Sequence, residues 1–229
     1  LITRILITEI EETHTIDLKN FWVRRIRRLI PAVLSMTVVI IFVSAVVNRV
    51  VFTKGCKDFV ASVLGFNNWW QIFNKVSYFE AAGAPSPFTH CWSLAIETQF
   101  YLIYPILLLL LARVVRGRKK RGKVFAFVSV LLAVVSMILM AVLYNPNGDP
   151  SRVYYGTDTR AFSLLIGALA AIQLEYRIIK VRLPRKIWAL IGSISLVILT
   201  CMMIFISSYS SFLYYGGQVI LSVLTAFIV

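Results

Sequence analysis

Long uninterrupted runs of apolar side chains constrain this chain most. Leu29–Val47, Leu94–Ala112, Val124–Tyr144, Ile187–Ile206 and Phe212 to the end reach or approach the roughly 20 apolar residues that cross a bilayer core. Arg160–Tyr176 is shorter, but Leu164, Leu165, Ile166, Leu169 and Ile172 make it a sixth span. A backbone crossing lipid finds no water, so its N–H and C=O groups must pair within the segment; the alternating strands of a barrel are absent from the pattern. The expected fold is all-α, a polytopic integral membrane helix bundle with about six transmembrane helices. A hydrophobic content of 59% and a mean hydropathy of +0.81 agree.

Charge then gives orientation. A net charge of +14 suggests nucleic acid in a soluble protein, but its distribution here excludes that reading. Of the 24 Lys and Arg residues, 18 fall in three clusters. Arg4, Lys19, Arg24, Arg25, Arg27 and Arg28 precede the first span. Arg113, Arg116, Arg118, Lys119, Lys120, Arg121 and Lys123 lie between the second and third, and Arg177, Lys180, Arg182, Arg185 and Lys186 between the fourth and fifth. Alternation of basic and non-basic connections fits six crossings with the basic side in the cytoplasm. The Arg113–Lys123 run reads as a solvated cytoplasmic loop.

Residues 51–92 are expected to form an outer loop, a lid bent at Gly83, Pro85 and Pro87. Within it, Phe59–Phe73 is too short and too polar for a span. It reads as interfacial or re-entrant, with Trp69 and Trp70 at the headgroup level. Without an initiator Met, with Leu1–Ile10 resembling the tail of an earlier helix and Val229 inside an apolar run, residues 1–229 are expected to be a partial domain cut at both ends. Cys56 and Cys91 both face outward and Cys201 is intramembrane, so one bridge or three free thiols are both open. No Cys/His metal spacing and no glycine-rich phosphate loop is present, and no metal is expected.

The chemistry centres on Glu97. A carboxylate inside an apolar helix costs roughly 2.5 to 3.5 kcal/mol at mid-span. On a helix Ser93, Glu97, Tyr101 and Tyr104 share one stripe, with His90 two turns earlier. That stripe can position a hydroxyl, move a proton or hold a cation; alternatively it is structural, with Glu97 paired to an arginine of another helix. His90 fits an acid or base near neutral pH, or an interfacial hydrogen-bonding histidine. Trp92 reads as an interface anchor before a substrate platform. Arg24, Arg25 and Arg28, three and four residues apart, form a guanidinium cluster at the cytoplasmic mouth that suits phosphate or simply anionic lipid. In Thr157-Asp158-Thr159-Arg160, Thr157 or Asp158 can cap a helix starting near Arg160, while Asp158 and Arg160 can also orient a ligand. Ser163, Gly167 and Ala171 then give a small-residue packing stripe.

Three segments, in this order, resemble the type 3 membrane acyltransferase family. They are Phe21-Trp22 with Arg24, Arg25, Arg28 and Pro31; His90, Trp92-Ser93-Leu94, Glu97, Gln99-Phe100-Tyr101 and Pro105; and Asp158 with Arg160 ahead of Gly167. Asn68-Trp69-Trp70 and Pro85-Ser86-Pro87-Phe88 look most like the peptidoglycan O-acetyltransferases of Gram-positive bacteria. The resemblance implies an O-acyltransferase of the bacterial cell membrane. It would move an acetyl group from cytoplasmic acetyl-CoA, a co-substrate, to a hydroxyl of an extracytoplasmic polysaccharide such as peptidoglycan. It implies catalytic roles for Glu97 and His90, and substrate-binding roles for Arg24, Arg25, Arg28, Trp92, Asp158 and Arg160. The implied partners are the polysaccharide acceptor, the lipid bilayer and a C-terminal or separate extracellular transferase domain, with no nucleic acid. Thr98 stands where many relatives carry a second Glu, and the family's histidine-bearing helix, with its general base, is expected before Leu1. The rival class is a transporter or acyl-donor conduit without catalysis, which discontinuous helices and inverted repeats would favour.

Overall fold

The computed structural model describes residues 1–79, 86–180 and 183–228. Gly83 and Pro85, two of the expected bend points, and Arg182 of the third basic cluster lie outside the described residues. Those described are helical with no strand: α1 (Ile2–Thr13), α2 (Leu18–Val47), α3 (Arg49–Val63), α4 (Asn67–Phe73), α5 (Cys91–Val114), α6 (Arg118–Leu143), α7 (Ser151–Tyr155), α8 (Thr157–Tyr176), α9 (Arg185–Phe205) and α10 (Gln218–Ile228). Four of these, α2, α5, α6 and α9, are long and apolar enough to cross a membrane. The chain is a multi-pass membrane protein. It divides into two compact units, and the division falls inside α5 just after Pro105.

One unit comprises residues 16–106 and 147–157. Asp17 caps α2 by accepting from the Asn20 N–H at 3.0 Å, and that bond holds its carboxyl below the ordinary aspartate range. At the other end a single residue, Asn48, leaves the helical region with φ −155°. Its Oδ1 accepts from the N–H groups of Val50 and Val51 at 2.9 and 3.3 Å, so one side chain ends α2 and starts α3. The two helices pack as a hairpin, α3 turning small buried residues inward at Gly55, Ala61 and Ser62. Val38, Val39, Phe42 and Val46 of α2 stay exposed, as lipid-facing positions should. The segment expected to be interfacial or re-entrant, Phe59–Phe73, is the end of α3, a turn at Gly65 and then α4.

The other unit comprises residues 1–15, 107–146 and 158–229. Here the expectation of a solvated Arg113–Lys123 loop is corrected, because α6 begins at Arg118 and its first turn carries Arg121 inward. Arg121 grips Glu11 of α1 with both arms, Nε to Oε1 at 3.0 Å and Nη2 to Oε2 at 2.7 Å, their side chains only 11% and 10% exposed. The Tyr176 hydroxyl donates to the same carboxylate at 2.7 Å. Gly122 makes room for this: a Cβ there would lie 2.5 Å from the Tyr176 ring. Helix α8 buries Phe162, Leu165, Ala168, Ala171 and Ile172, so of the expected stripe Ser163, Gly167 and Ala171 the last is buried, while Ser163 is part-buried and Gly167 exposed. The apolar run from Phe212 is not one helix either. A π turn at Leu213–Gly217, with Gly216 at φ +154°, separates α10 from what precedes it.

Burial works against the Glu11 charge, but the hydrogen bonds from Arg121 and Tyr176 and the charges of Arg121 and Arg118 outweigh it and lower its carboxyl below the ordinary 4.5. A depressed folded value stabilises fully above pH 4.5 and is lost as pH falls through the folded value. Glu11→Gln leaves Arg121 buried without its counter-charge. It should cost about 3 kcal/mol, read as a lower thermal midpoint in detergent, and should flatten the acid limb of stability. An unchanged acid limb would contradict this account.

Candidate functional site on helix α5

Helix α5 carries Pro105 in its interior. Proline has no N–H, so the carbonyl four residues back, at Tyr101, loses its helical partner. In lipid that carbonyl has no water to turn to. The indole of Trp22 on α2 supplies the donor, Nε1 to Tyr101 O at 3.1 Å. The pair Trp22 and Pro105, both noted in the sequence, thus has one local reason: a break in the backbone of α5 is repaired from α2.

This contact brings the arginine segment beside the acid. The Tyr101 hydroxyl donates to Glu97 Oε2 at 3.0 Å, one turn away on the same helix. The Arg25 guanidinium lies 5.9 Å from the Tyr101 ring centroid and 5.5 Å from that of Phe21. The expected placement of the arginine cluster at one mouth of the bundle and the Glu97 stripe at the other is corrected, because Arg25 and Glu97 both meet Tyr101. The cluster itself divides, Arg24 and Arg28 being exposed and Arg25 half-buried. Glu97 has Tyr101 as its partner rather than an arginine of another helix. Arg25 also borders a cavity of about 270 Å³ between α2, the end of α3 and α5.

The same stretch of α5 is locked on another face. Gln99 Nε2 donates to Asn68 Oδ1 at 2.9 Å and to Gly65 O at 3.1 Å, while its Oε1 accepts from Thr157 Oγ1 at 2.6 Å and from Trp69 Nε1 at 3.2 Å. The amide is fully used. Buried Asp58 on α3 accepts from Trp70 Nε1 at 2.8 Å and Gln71 Nε2 at 3.0 Å, and Asn67 donates to Phe88 O at 2.7 Å. Each side chain from Asn67 to Gln71 therefore makes at least one hydrogen bond, with Gln71 Oε1 left without a partner, and both indoles donate into this polar network. Gly65, at φ +73°, closes the turn so tightly that a Cβ there would sit 2.9 Å from Thr98. Asp58, Gln99 and Asn68 had no assigned role in the sequence reading. Their signal was the unbroken polar run Asn67–Gln71, whose groups need partners at membrane depth.

His90 precedes α5, exposed, its ring edge-on to Tyr78 with centroids 5.8 Å apart. Tyr78 stacks on Tyr154 at 4.6 Å, and Trp92 leans on Tyr154 at 4.7 Å. Trp92 therefore belongs to an aromatic cluster with His90. Beneath it lies Tyr155, whose buried hydroxyl has no hydrogen-bond partner; burial and then the Asp149 charge push its phenol well above the ordinary value. Asp158 and Arg160 sit in the other unit, in the first turn of α8, which starts at Thr157 rather than near Arg160. Arg160 donates to Gln218 of α10, and Thr157 is engaged by Gln99 and Asn68. Cys56, Cys91 and Cys201 are free thiols. Among the described residues no group of three or more His, Cys, Asp or Glu side chains can hold a metal ion.

Residues 5–229 match the acyltransferase-domain family. The chain belongs to this family. It is 43% identical over 227 residues, 98% of its length, to the peptidoglycan O-acetyltransferase OatA of Listeria monocytogenes. It is 41% identical over 233 residues, its whole length, to the putative peptidoglycan O-acetyltransferase YrhL of Bacillus subtilis. A putative O-acetyltransferase of Staphylococcus aureus is 37% identical over 232 residues. The chain spans 36 to 38% of the length of these relatives. No solved structure matches it. Within the family, the Trp22 bond is testable by a double-mutant cycle. Trp22→Phe should cost about 1 to 3 kcal/mol by leaving the Tyr101 carbonyl bare, and much less in a Pro105→Ala background, where the backbone N–H returns. Equal costs in both backgrounds, measured by unfolding in detergent, would remove the repair role.

Proposed function

We propose that this chain is the membrane portion of an O-acyltransferase that moves an acetyl group from cytoplasmic acetyl-CoA to a hydroxyl of a cell-envelope polysaccharide, peptidoglycan being the acceptor that two relatives' names point to. The observation that carries it is that Arg25 and Glu97 both meet Tyr101, with Arg25 and Tyr101 lining a cavity. Acyl transfer needs a carboxylate for the acceptor hydroxyl and a cation for the carbonyl oxygen within reach of each other. With one oxygen held by Tyr101, Glu97 orients the hydroxyl through the other. The hydroxyl oxygen forms the new C–O bond as the C–S bond of the thioester breaks, and its proton passes by way of Glu97 to the departing thiolate. Arg25 faces the carbonyl oxygen as its charge grows.

Arg24 and Arg28, exposed on the same helix, suit the donor's phosphates. The cluster of His90, Trp92, Tyr154 and Tyr78 offers flat faces to a sugar, with His90 placed to share a proton at its edge. Asp158 and Arg160 are retained as substrate-binding candidates on the family resemblance. The test uses full-length protein in vesicles with labelled acetyl-CoA and a glycan acceptor. Glu97→Gln should lower transfer by about 100-fold or more while membrane insertion is kept. Transfer at the wild-type rate would remove Glu97 from the chemistry, and transport of label without glycan acetylation would favour a conduit.

A further inference from the structure

Helix α10 turns one side chain fully inward, and it is an amide. Among the described residues of α10 only Gln218 is buried, at 7% exposure, while Ile220, Val223 and Phe227 stay exposed. An apolar residue would fill the same space without the cost of taking an amide out of water. Gln218 offsets that cost through its Oε1, which accepts from Nη1 of half-buried Arg160 in the first turn of α8. The backbone just ahead of Gln218 is equally particular. The π turn Leu213–Gly217 shifts the helical register there, and such turns are rare and concentrated at functional sites. Gly216 stands at φ +154°, which residues with a side chain seldom adopt, and a Cβ on Gly217 would lie 2.7 Å from the Phe212 ring. Helix α6 anchors the turn: the Tyr214 ring stacks on Tyr144 at 4.4 Å, and the Tyr144 hydroxyl shares a hydrogen bond with Ser211 Oγ at 3.1 Å. Two turns back on the same face of α6, Ser136 Oγ accepts from the Phe162 N–H of α8 at 3.2 Å. One face of α6 thus fixes both the turn that carries Gln218 and the helix that carries Arg160.

We infer that Gln218 is a positioning residue for Arg160, aiming its guanidinium at a substrate oxygen while adding no negative charge of its own beside it. This rests on the reading of Arg160 as a substrate-binding residue and extends that reading to the π turn and α10. A guanidinium recognises oxygen atoms through a rigid planar fork, so its orientation matters as much as its charge. The bond from Nη1 to a neutral amide holds that fork by one arm. A carboxylate at the same place would hold it too, but would pair with the charge that the substrate is to meet. Arg160, Gln218, the turn and the α6 face that braces them all belong to one compact unit, so the aim is set within that unit.

The experiment measures acetyl transfer by the full-length protein in vesicles, with kcat and KM read separately for labelled acetyl-CoA and for the glycan acceptor. Arg160→Gln identifies which KM depends on the guanidinium and should raise it by about 30-fold. Gln218→Met, close in volume but without the acceptor, should raise that same KM by about tenfold and leave kcat within about twofold. In the Arg160→Gln background it should cost less than about twofold more, because the bond it removes is already gone. Gln218→Glu keeps the bond and pairs the charge, so it should fold with an undiminished thermal midpoint yet raise the same KM; it also carries the test should Gln218→Met fail to insert. No rise in that KM with Gln218→Met, an equal rise in both backgrounds, or wild-type kinetics with Gln218→Glu would make the bond a structural tie and overturn the inference. Wild-type kinetics with Arg160→Gln would remove Arg160 from substrate binding and overturn the inference with it, leaving acetyl transfer by the protein standing. Wild-type protein that transfers no label would overturn the acyltransferase reading and the inference together.

Discussion

One carbonyl that cannot find a backbone partner organises the unit that bears the candidate site. Pro105 removes the N–H that Tyr101 O would accept from, and in a hydrocarbon medium the loss has to be met by protein. Trp22 meets it, and in doing so fixes α2 against α5 at the turn where Tyr101 lies. Arg25, three residues on from Trp22, comes to lie beside the Tyr101 ring. The Tyr101 hydroxyl contact with the Glu97 carboxylate, the arginine and the cavity all follow from that register. A helix break that costs stability in isolation therefore sets the geometry around Tyr101 and Glu97.

The second constraint is the polarity of α4. Five consecutive side chains from Asn67 to Gln71 each require a partner, and they find Asp58, Phe88, Tyr155, Thr157 and Gln99. Such a network orders everything it touches, because leaving one member unpaired is expensive in a low dielectric. Gln99 and Glu97 sit two residues apart on α5 and so point to different sides of it. The network holds one side while the other carries the Glu97 carboxylate with its Tyr101 partner. The Arg121–Glu11–Tyr176 cluster plays a comparable part in the other unit, joining α1, α6 and α8 through one carboxylate.

Hydropathy made the helices legible, and α2, α5, α6 and α9 stand where apolar runs predict them. Glu97 could be found because a charge in a hydrophobic run is conspicuous. Its neighbourhood could not, since the distance between residues 25 and 97 depends on how α2 and α5 pack, which no periodicity encodes. From sequence Arg121 looks solvated because its neighbours are lysines and arginines; only tertiary contact shows that it grips the buried Glu11. Gly216 was invisible for the opposite reason. A glycine in an apolar run reads as tolerated until its backbone adopts φ +154° and ends the helix. Trp69 and Trp70 carry the composition of an interface belt, but their N–H groups serve the polar network.

The length of α2 links the site to the bilayer itself. Its 30 residues extend about 45 Å at about 1.5 Å per residue, against a hydrocarbon core of about 30 Å. Its hairpin partner α3 has 15 residues and, at about 22 Å, is too short to cross. The apolar stretch of α2, Leu29–Val47, is about 28 Å long and matches the hydrocarbon core, so the excess is the polar first turns, where exposed Arg24, Arg27 and Arg28 can extend their charged ends to the interface. Trp22 and Arg25 ride on that overhang, so the turns of α2 that reach past its apolar stretch are the ones that hold the Tyr101 carbonyl and border the cavity.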